Sequence, residues 1–125
     1  MNENKPEKST ESVCNLAYLI EIMSGKKQLI KEIMDTFLTQ TQEELNSINN
    51  AIIKADFVNI QSFAHTMKSS VSIMGVSMLA PILNELEELA KGAIDIKKIT
   101  ELGQELNSIC KQAIEEIKNE RLNYL

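Results

Sequence analysis

The only histidine of this chain, His65, has the surroundings of a residue that carries chemistry. Apolar residues recur around it at spacings of three and four, which is the pattern of one buried face of an α-helix. These residues are Phe57, Ile60, Ala64, Met67, Val71 and Met74. At 100° per residue His65 lies about 130° from the centre of this stripe, so its side chain is predicted to face water.

Mostly small polar residues share the predicted face of the histidine. Positions three, four and seven residues apart are neighbours on a helix, and they hold Gln61, Ser62, Lys68, Ser69 and Ser72. Short side chains let a partner approach the imidazole, and Lys68 places a cation one turn away. This arrangement suits a phosphoryl group on the histidine with a docking surface around it. Taken alone, an exposed helix histidine is more often an ordinary solvated residue.

Composition excludes several classes of function. The 125 residues fit one domain that sustains a core without disulfides. A net charge of −5 and the absence of tryptophan and of a basic, aromatic stripe argue against nucleic-acid binding. No apolar run approaches the roughly 20 residues that cross a bilayer, and the N-terminus lacks the apolar core of a secretion signal. We therefore predict a cytoplasmic protein that does not bind a membrane.

Metal and nucleotide chemistry are also disfavoured. Cys14 and Cys110 are predicted to be reduced, half-buried apolar residues. One histidine and two distant cysteines give none of the ligand spacings of a zinc site, and no Glu-x-x-His motif of a helix-bundle metalloenzyme is present. No glycine-rich phosphate loop indicates an ATP-using kinase. We predict no metal site.

The elements that position His65 are predicted to be helices, with no strands. Residues 1–12 are polar, contain Pro6 and read as a flexible leader to a domain over 13–122. A short helix over about 13–23 is expected to bury Leu16, Leu19, Ile20 and Met23. Longer helices are expected over about 27–54, 56–74, 77–91 and 95–122. The prediction is an all-α fold: an antiparallel up-down four-helix bundle with a short additional N-terminal helix.

These residues resemble a known family, the histidine-containing phosphotransfer (HPt) domains. The family signature A-H-x-x-K-G-S is similar to Ala64–Ser70, AHTMKSS, and its trailing x-x-x-L-G is similar to residues 71–75, VSIMG. Phe37-Leu38, Asp56-Phe57 and the segment LNELEEL at 83–89 also resemble the family, so the resemblance covers nearly all of 16–116. One departure is Ser69, where the family usually has glycine, and it bears on partner choice or rate.

The resemblance implies a phosphorelay carrier without catalytic machinery of its own. His65 would take a phosphoryl group from an aspartyl phosphate on a receiver domain and pass it to the aspartate of a response regulator. Lys68 would neutralise phosphoryl charge, and Glu87 on the next helix would hold the imidazole. The implied partners are response-regulator receiver domains and a hybrid sensor histidine kinase. We expect a monomer with no bound cofactor, because magnesium would sit on the partner receiver.

Physical chemistry is consistent with these roles. Phosphoryl transfer to nitrogen requires an unprotonated lone pair, which a neutral imidazole offers. A Glu87 carboxylate that accepts a proton from Nδ1 would fix the tautomer with a free Nε2. Two alternatives stay open: Glu87 as a solvated helix glutamate, and a helical interaction module of the same fold that is not phosphorylated, which Ser69 suggests.

Overall fold

The computed structural model describes residues 12–125, and of the predicted leader only Ser12 lies within them. The helices are α1 (Ala17–Ile22), α2 (Lys27–Ile53), α3 (Phe57–Ile73), α4 (Leu79–Lys91) and α5 (Ile96–Arg121), followed by a 3₁₀ turn (Leu122–Tyr124). The described part of the chain contains no strand. The bounds of α2 to α5 agree with the predicted helices within two residues.

The four long helices form a closed ring. Helix α3 packs against α2 and α4, and α5 packs against α4 and back against α2. The connections at 54–56, 74–78 and 92–95 are short, so successive helices run antiparallel. This confirms the predicted four-helix bundle with a short additional helix. Between residues 12 and 125, no helix has the length and apolar composition needed to span a membrane.

The core lies on the axis of this ring. Burial of its apolar side chains is the main favourable contribution to folding. The largest fully buried side chains include Met34, Ile48, Ile60, Met67, Leu83, Leu86, Ile99 and Leu106. Within α3 the predicted stripe is buried from Ile60 to Met74, while Phe57 is half-buried. The stripe fixes the rotation of α3 and thereby the direction in which His65 points.

Local sequence accounts for the ends of the helices. The Asp56 carboxylate accepts a hydrogen bond from Asn59 N at 3.3 Å, so it caps α3. The Asp95 carboxylate does the same for α5, accepting from Lys98 N at 3.0 Å. Pro81 is the third residue of α4, in the first turn, where its missing N–H breaks no helical hydrogen bond.

The prediction for the first helix was wrong in extent. It expected a helix from Val13, but α1 begins at Ala17. The Ala17 amide, which would donate to the Val13 carbonyl in the expected helix, donates instead to Asn15 Oδ1 at 3.1 Å. The amides of Val13 and Cys14 donate to Glu116 on α5. Ile20, expected in the core, is 37 % exposed, whereas its neighbour Leu19 is fully buried. A six-residue helix has room for little more than one inward position.

One polar cluster lies between α2 and α3. The Ser70 hydroxyl donates to Glu44 Oε2 at 3.0 Å. Within the described residues, the buried Glu44 Oε1 and the buried Thr41 hydroxyl have no hydrogen-bond partner. Burial raises the pKa of the Glu44 carboxyl above its ordinary value, the bond from Ser70 opposes this, and the charge of Glu43 adds to it. An ionised Glu44 is therefore unfavourable in the fold.

We expect Glu44→Gln to stabilise the protein at neutral pH, by up to about 1 kcal/mol because the carboxylate keeps partial solvent contact. A group whose pKa is raised by folding contributes stability below its unfolded-state pKa, and this stability is lost as the pH rises through the folded-state pKa. Denaturant unfolding from about pH 4 to pH 8 should therefore show a difference that grows with pH in favour of the variant. A difference independent of pH, or an equal effect of Glu43→Gln, would contradict this.

Candidate functional site

Helix α3 presents His65 to solvent at the middle of its length. The side chain of His65 is 71 % exposed, while Ala64 and Met67 beside it in sequence are fully buried. The predicted outward direction of His65 is therefore present in the structure. Packing of α3 therefore fixes the position of the imidazole ring, and the exposed side of the ring stays accessible to a partner molecule.

The His65 ring contacts a carboxylate from the neighbouring helix. Glu87 on α4 places Oε2 3.0 Å from His65 Nδ1. Its other oxygen, Oε1, lies 2.5 Å from the ammonium of Lys68, which is one turn along α3 from His65. Glu87 is only 17 % exposed, so packing holds it between the two groups. The structure thus brings together the three residues that the sequence singled out, which we call the histidine triad.

Electrostatics keep Glu87 ionised in this position. The hydrogen bond from Lys68 holds the pKa of the Glu87 carboxyl below its ordinary value, burial opposes this, and the contact with His65 lowers it further. A carboxylate accepts but cannot donate, so the ring must carry its proton on Nδ1 to make the 3.0 Å contact a hydrogen bond. In the neutral imidazole Nε2 is then the unprotonated nitrogen, and its lone pair is available as a nucleophile.

A shallow hollow borders His65 on the side of α4. It is lined by Val58, Gln61, Ser62, His65, Thr66 and Glu87. Gln61 and Ser62, two residues of the predicted docking surface, are therefore in the hollow. Ser69 and Ser72 are exposed on α3 but do not line it. The predicted surface is thus divided between a hollow before the histidine and an open serine face after it.

The sequence analysis missed two residues of this hollow. Val58 is 77 % exposed and lies seven residues before His65, a spacing that places it on the same face. This spacing of seven residues from His65 could have identified Val58 from the sequence. Thr66 is exposed beside the histidine, and its hydroxyl donates to the Ser62 carbonyl at 3.0 Å.

An exposed apolar surface lies at the N-terminal end of the described chain. Tyr18 and Ile22 are exposed and lie one turn apart on the same face of α1, and we call these two residues the apolar patch. Ile20, on another face of α1, and Leu29 at the start of α2 are exposed as well. Exposed apolar side chains that share a face are common at protein interfaces. Among residues 12–125, no group of three or more histidine, cysteine or acidic side chains has the arrangement of a metal site.

We expect Glu87→Ala to slow phosphorylation of the histidine by about tenfold or more, because the ring loses the acceptor that fixes its tautomer. Glu87→Gln should retain most of the rate, since the glutamine oxygen can still accept from Nδ1. The measurement is the rate of labelling by phosphoramidate, a small phosphodonor. Glu88→Ala, an exposed glutamate on the same helix, is the matched control. Equal rates for Glu87→Ala and Glu88→Ala would contradict the positioning role.

Comparisons with known proteins agree with this geometry. The sequence matches the model of the family described as Hpt domain over residues 32–120. The fold is similar to the crystal structure of histidine-containing phosphotransfer protein B (HptB) from Pseudomonas aeruginosa PAO1, with a TM-score of 0.78 and 28 % identity over 88 % of this chain and 92 % of that chain. No curated protein sequence matches. These findings favour the phosphorelay carrier over the unphosphorylated interaction module. The chain belongs to the Hpt domain family and is a histidine phosphotransfer intermediate of a phosphorelay.

Proposed function

We propose that His65 is the residue that carries the phosphoryl group. Its Nε2 attacks the phosphorus of an aspartyl phosphate on one receiver domain, the P–N bond forms, and the aspartate carboxylate leaves. The reverse reaction at a second receiver transfers the group from Nε2 to the aspartate of a response regulator. In this scheme a hybrid sensor histidine kinase supplies the first receiver.

The observation that carries this proposal is the 3.0 Å contact between His65 Nδ1 and Glu87. It supports an exposed ring with the proton on Nδ1 and the lone pair on Nε2. After transfer the phosphorylated ring is positively charged, and a carboxylate beside Nδ1 stabilises that charge. One residue therefore prepares the nucleophile and stabilises the product.

Lys68 is suited to the negative charge of the phosphoryl group. In the unphosphorylated protein its ammonium pairs with Glu87, 2.5 Å from Oε1. A phosphoryl group on Nε2 brings nearly two negative charges to the same turn of α3. The long, flexible lysine side chain can then pair with a phosphoryl oxygen by a change of rotamer, while Glu87 keeps its contact with the ring.

We assign no resident cofactor to this chain. Magnesium favours carboxylate and phosphate oxygens, and it promotes phosphoryl transfer by neutralising charge on the group transferred. The triad offers one carboxylate, which is already paired with His65 and Lys68. We therefore place the ion in the acidic pocket of the partner receiver. Since members of this family are carriers rather than kinases, the phosphoryl group comes from another phosphoprotein and not from ATP.

The receiver docks on the face of α3 around His65. Gln61 and Ser62 border the ring on one side, and Ser69 and Ser72 extend the surface on the other. These side chains are short or flexible, so the receiver aspartate can approach Nε2. The polar surface around His65 buries little apolar area when a receiver binds. The apolar patch adds that apolar area, as in interfaces that combine polar and apolar regions. The carrier acts as a monomer, with one receiver bound at a time.

Transfer from a labelled, phosphorylated receiver in the presence of magnesium tests the proposal. The chain is expected to gain a label that is stable in alkali and labile in acid, and to lose it to a second receiver. Chelation of magnesium should stop transfer from the receiver but not labelling by phosphoramidate, because the ion belongs to the receiver. A chain that stays unlabelled by a panel of competent receivers would overturn the proposal.

A further inference from the structure

The Glu116 carboxylate on α5 accepts hydrogen bonds from the segment that precedes α1. Glu116 Oε1 accepts from the Ser12 hydroxyl at 2.8 Å and from the Cys14 amide at 3.0 Å, and Oε2 accepts from the Val13 amide at 2.9 Å. Gln112, one turn earlier on α5, donates to Oε2 at 3.1 Å. Residues 12–14 lie outside any helix, so Glu116 supplies acceptors that secondary structure does not. We call residues 12–15 with Glu116 the N-terminal clasp.

The clasp also touches the end of the histidine helix. Asn15 N donates to the Met74 carbonyl at 3.1 Å. At the next residue, Gly75, a Cβ atom would lie 2.1 Å from the Asn15 carbonyl oxygen, so the two backbones are in direct contact. The clasp therefore bridges α5 and the C-terminal end of α3 immediately before α1 begins.

Helix α1 depends on such contacts for its position. It has six residues, and an isolated helix of that length is not stable in water. Of its residues, Leu19 is the one that is buried, while Tyr18, Ile20 and Ile22 are exposed. Leu16 before the helix and Met23 after it are only partly buried against the core, so few side chains fix α1, and the clasp adds hydrogen bonds at its N-terminal end.

The charge of Glu116 is maintained at neutral pH. Burial raises the pKa of the carboxyl, but the hydrogen bonds from Val13, Cys14 and Ser12 outweigh it and keep the pKa below its ordinary value. Within the described residues, the hydrogen-bond partners of Glu116 do not include the histidine triad. Glu116 therefore makes no direct contact with the residues proposed to carry the chemistry.

We propose that Glu116 is a positioning residue that holds α1, and with it the apolar patch, in the orientation that receiver domains bind. This inference rests on the proposed function, because the patch matters to transfer only if a receiver docks there. The clasp then sets the affinity for the partner, while the histidine triad sets the reactivity of Nε2.

Glu116→Ala separates these two effects. Alanine removes both carboxylate oxygens, so the Ser12 hydroxyl and the amides of Val13 and Cys14 lose their acceptor and the clasp opens. The concentration of phosphorylated receiver that gives half the maximal rate should rise about tenfold, because only the fraction of molecules with α1 in place binds well. The limiting rate at saturating receiver, and the rate of labelling by phosphoramidate, should equal those of the wild type.

Glu115→Ala is the matched control, since it removes the same side chain from the adjacent residue of α5, which is exposed and pairs with Lys118 at 3.7 Å. Hydrogen exchange should be faster in α1 of Glu116→Ala and unchanged in α3. An unchanged half-saturating concentration with unchanged exchange in α1 would overturn the inference, and so would an equal loss with phosphoramidate. Failure of the proposed function gives a different result from failure of this inference, because the wild type would then take label from neither donor. Hydrogen exchange would still show whether the clasp holds α1.

Discussion

The His65→Gln protein is expected to take no phosphoryl group from a phosphorylated receiver or from phosphoramidate, a loss of about 10³-fold or more. His65 is the only histidine of the chain, so no second ring nitrogen can replace it. A glutamine amide is not a nucleophile at neutral pH, although it can still contact Glu87. The measurement is alkali-stable, acid-labile label on wild type and variant under the same conditions.

The fold of the variant provides the control for this prediction. Because the His65 side chain is mostly exposed, its replacement should change the free energy of unfolding by no more than about 0.5 kcal/mol. Equal melting temperatures would therefore assign the loss of label to chemistry. Label of wild-type amount on His65→Gln would contradict the assignment, and its stability would identify the true acceptor, since acyl phosphates are labile in alkali and serine phosphates are stable in acid.

The parts of the site that lie on one helix were predictable from the sequence. The direction of His65 and the neighbourhood of Lys68 follow from 100° per residue and a buried stripe, which are local properties of α3. Glu87 is different, because it comes from α4, 22 positions further along the chain. Helical periodicity does not determine which residues of two packed helices meet, so the resemblance to a family, and not the pattern of the residues, singled it out.

The same distinction separates the correct and the wrong parts of the predicted fold. Helices α2 to α5 are long, and their apolar periodicity repeats often enough to give their bounds. The first helix was predicted too long because Glu116, about 100 positions away, binds residues 13 and 14 in a backbone that is not helical, and the Ala17 amide donates to Asn15 Oδ1 instead of to the Val13 carbonyl. Val13 and Leu16 have a helical spacing, but a tertiary hydrogen bond determines the backbone there. The raised pKa of Glu44 has the same origin, since it follows from tertiary packing that buries this carboxyl, and the hydrogen bond from Ser70 offsets only part of the effect.

The second large effect is expected at Gly75, where the end of the histidine helix meets the clasp. Gly75 and Gly25 both have left-handed backbones, with φ of +66° and +69°, so alanine at either position costs about 1 kcal/mol in backbone strain. The two glycines differ in the room available for a side chain. A Cβ atom at Gly25 meets nothing within 4 Å, whereas one at Gly75 lies 2.1 Å from the Asn15 carbonyl oxygen. Backbone atoms cannot yield as a side chain does, so the segment before α1 must move away.

We therefore expect Gly75→Ala to lower the free energy of unfolding by about 3 kcal/mol, through the strain and the lost packing of Leu19, and Gly25→Ala by about 1 kcal/mol. Denaturant unfolding of the two variants measures the difference. Once the segment has moved away, Glu116→Ala should add little to Gly75→Ala, although it adds its full effect to Gly25→Ala, because residues that act through one contact are not additive. Equal costs at the two glycines, or additive effects of Glu116→Ala in both backgrounds, would mean that the clasp and the end of α3 do not depend on each other.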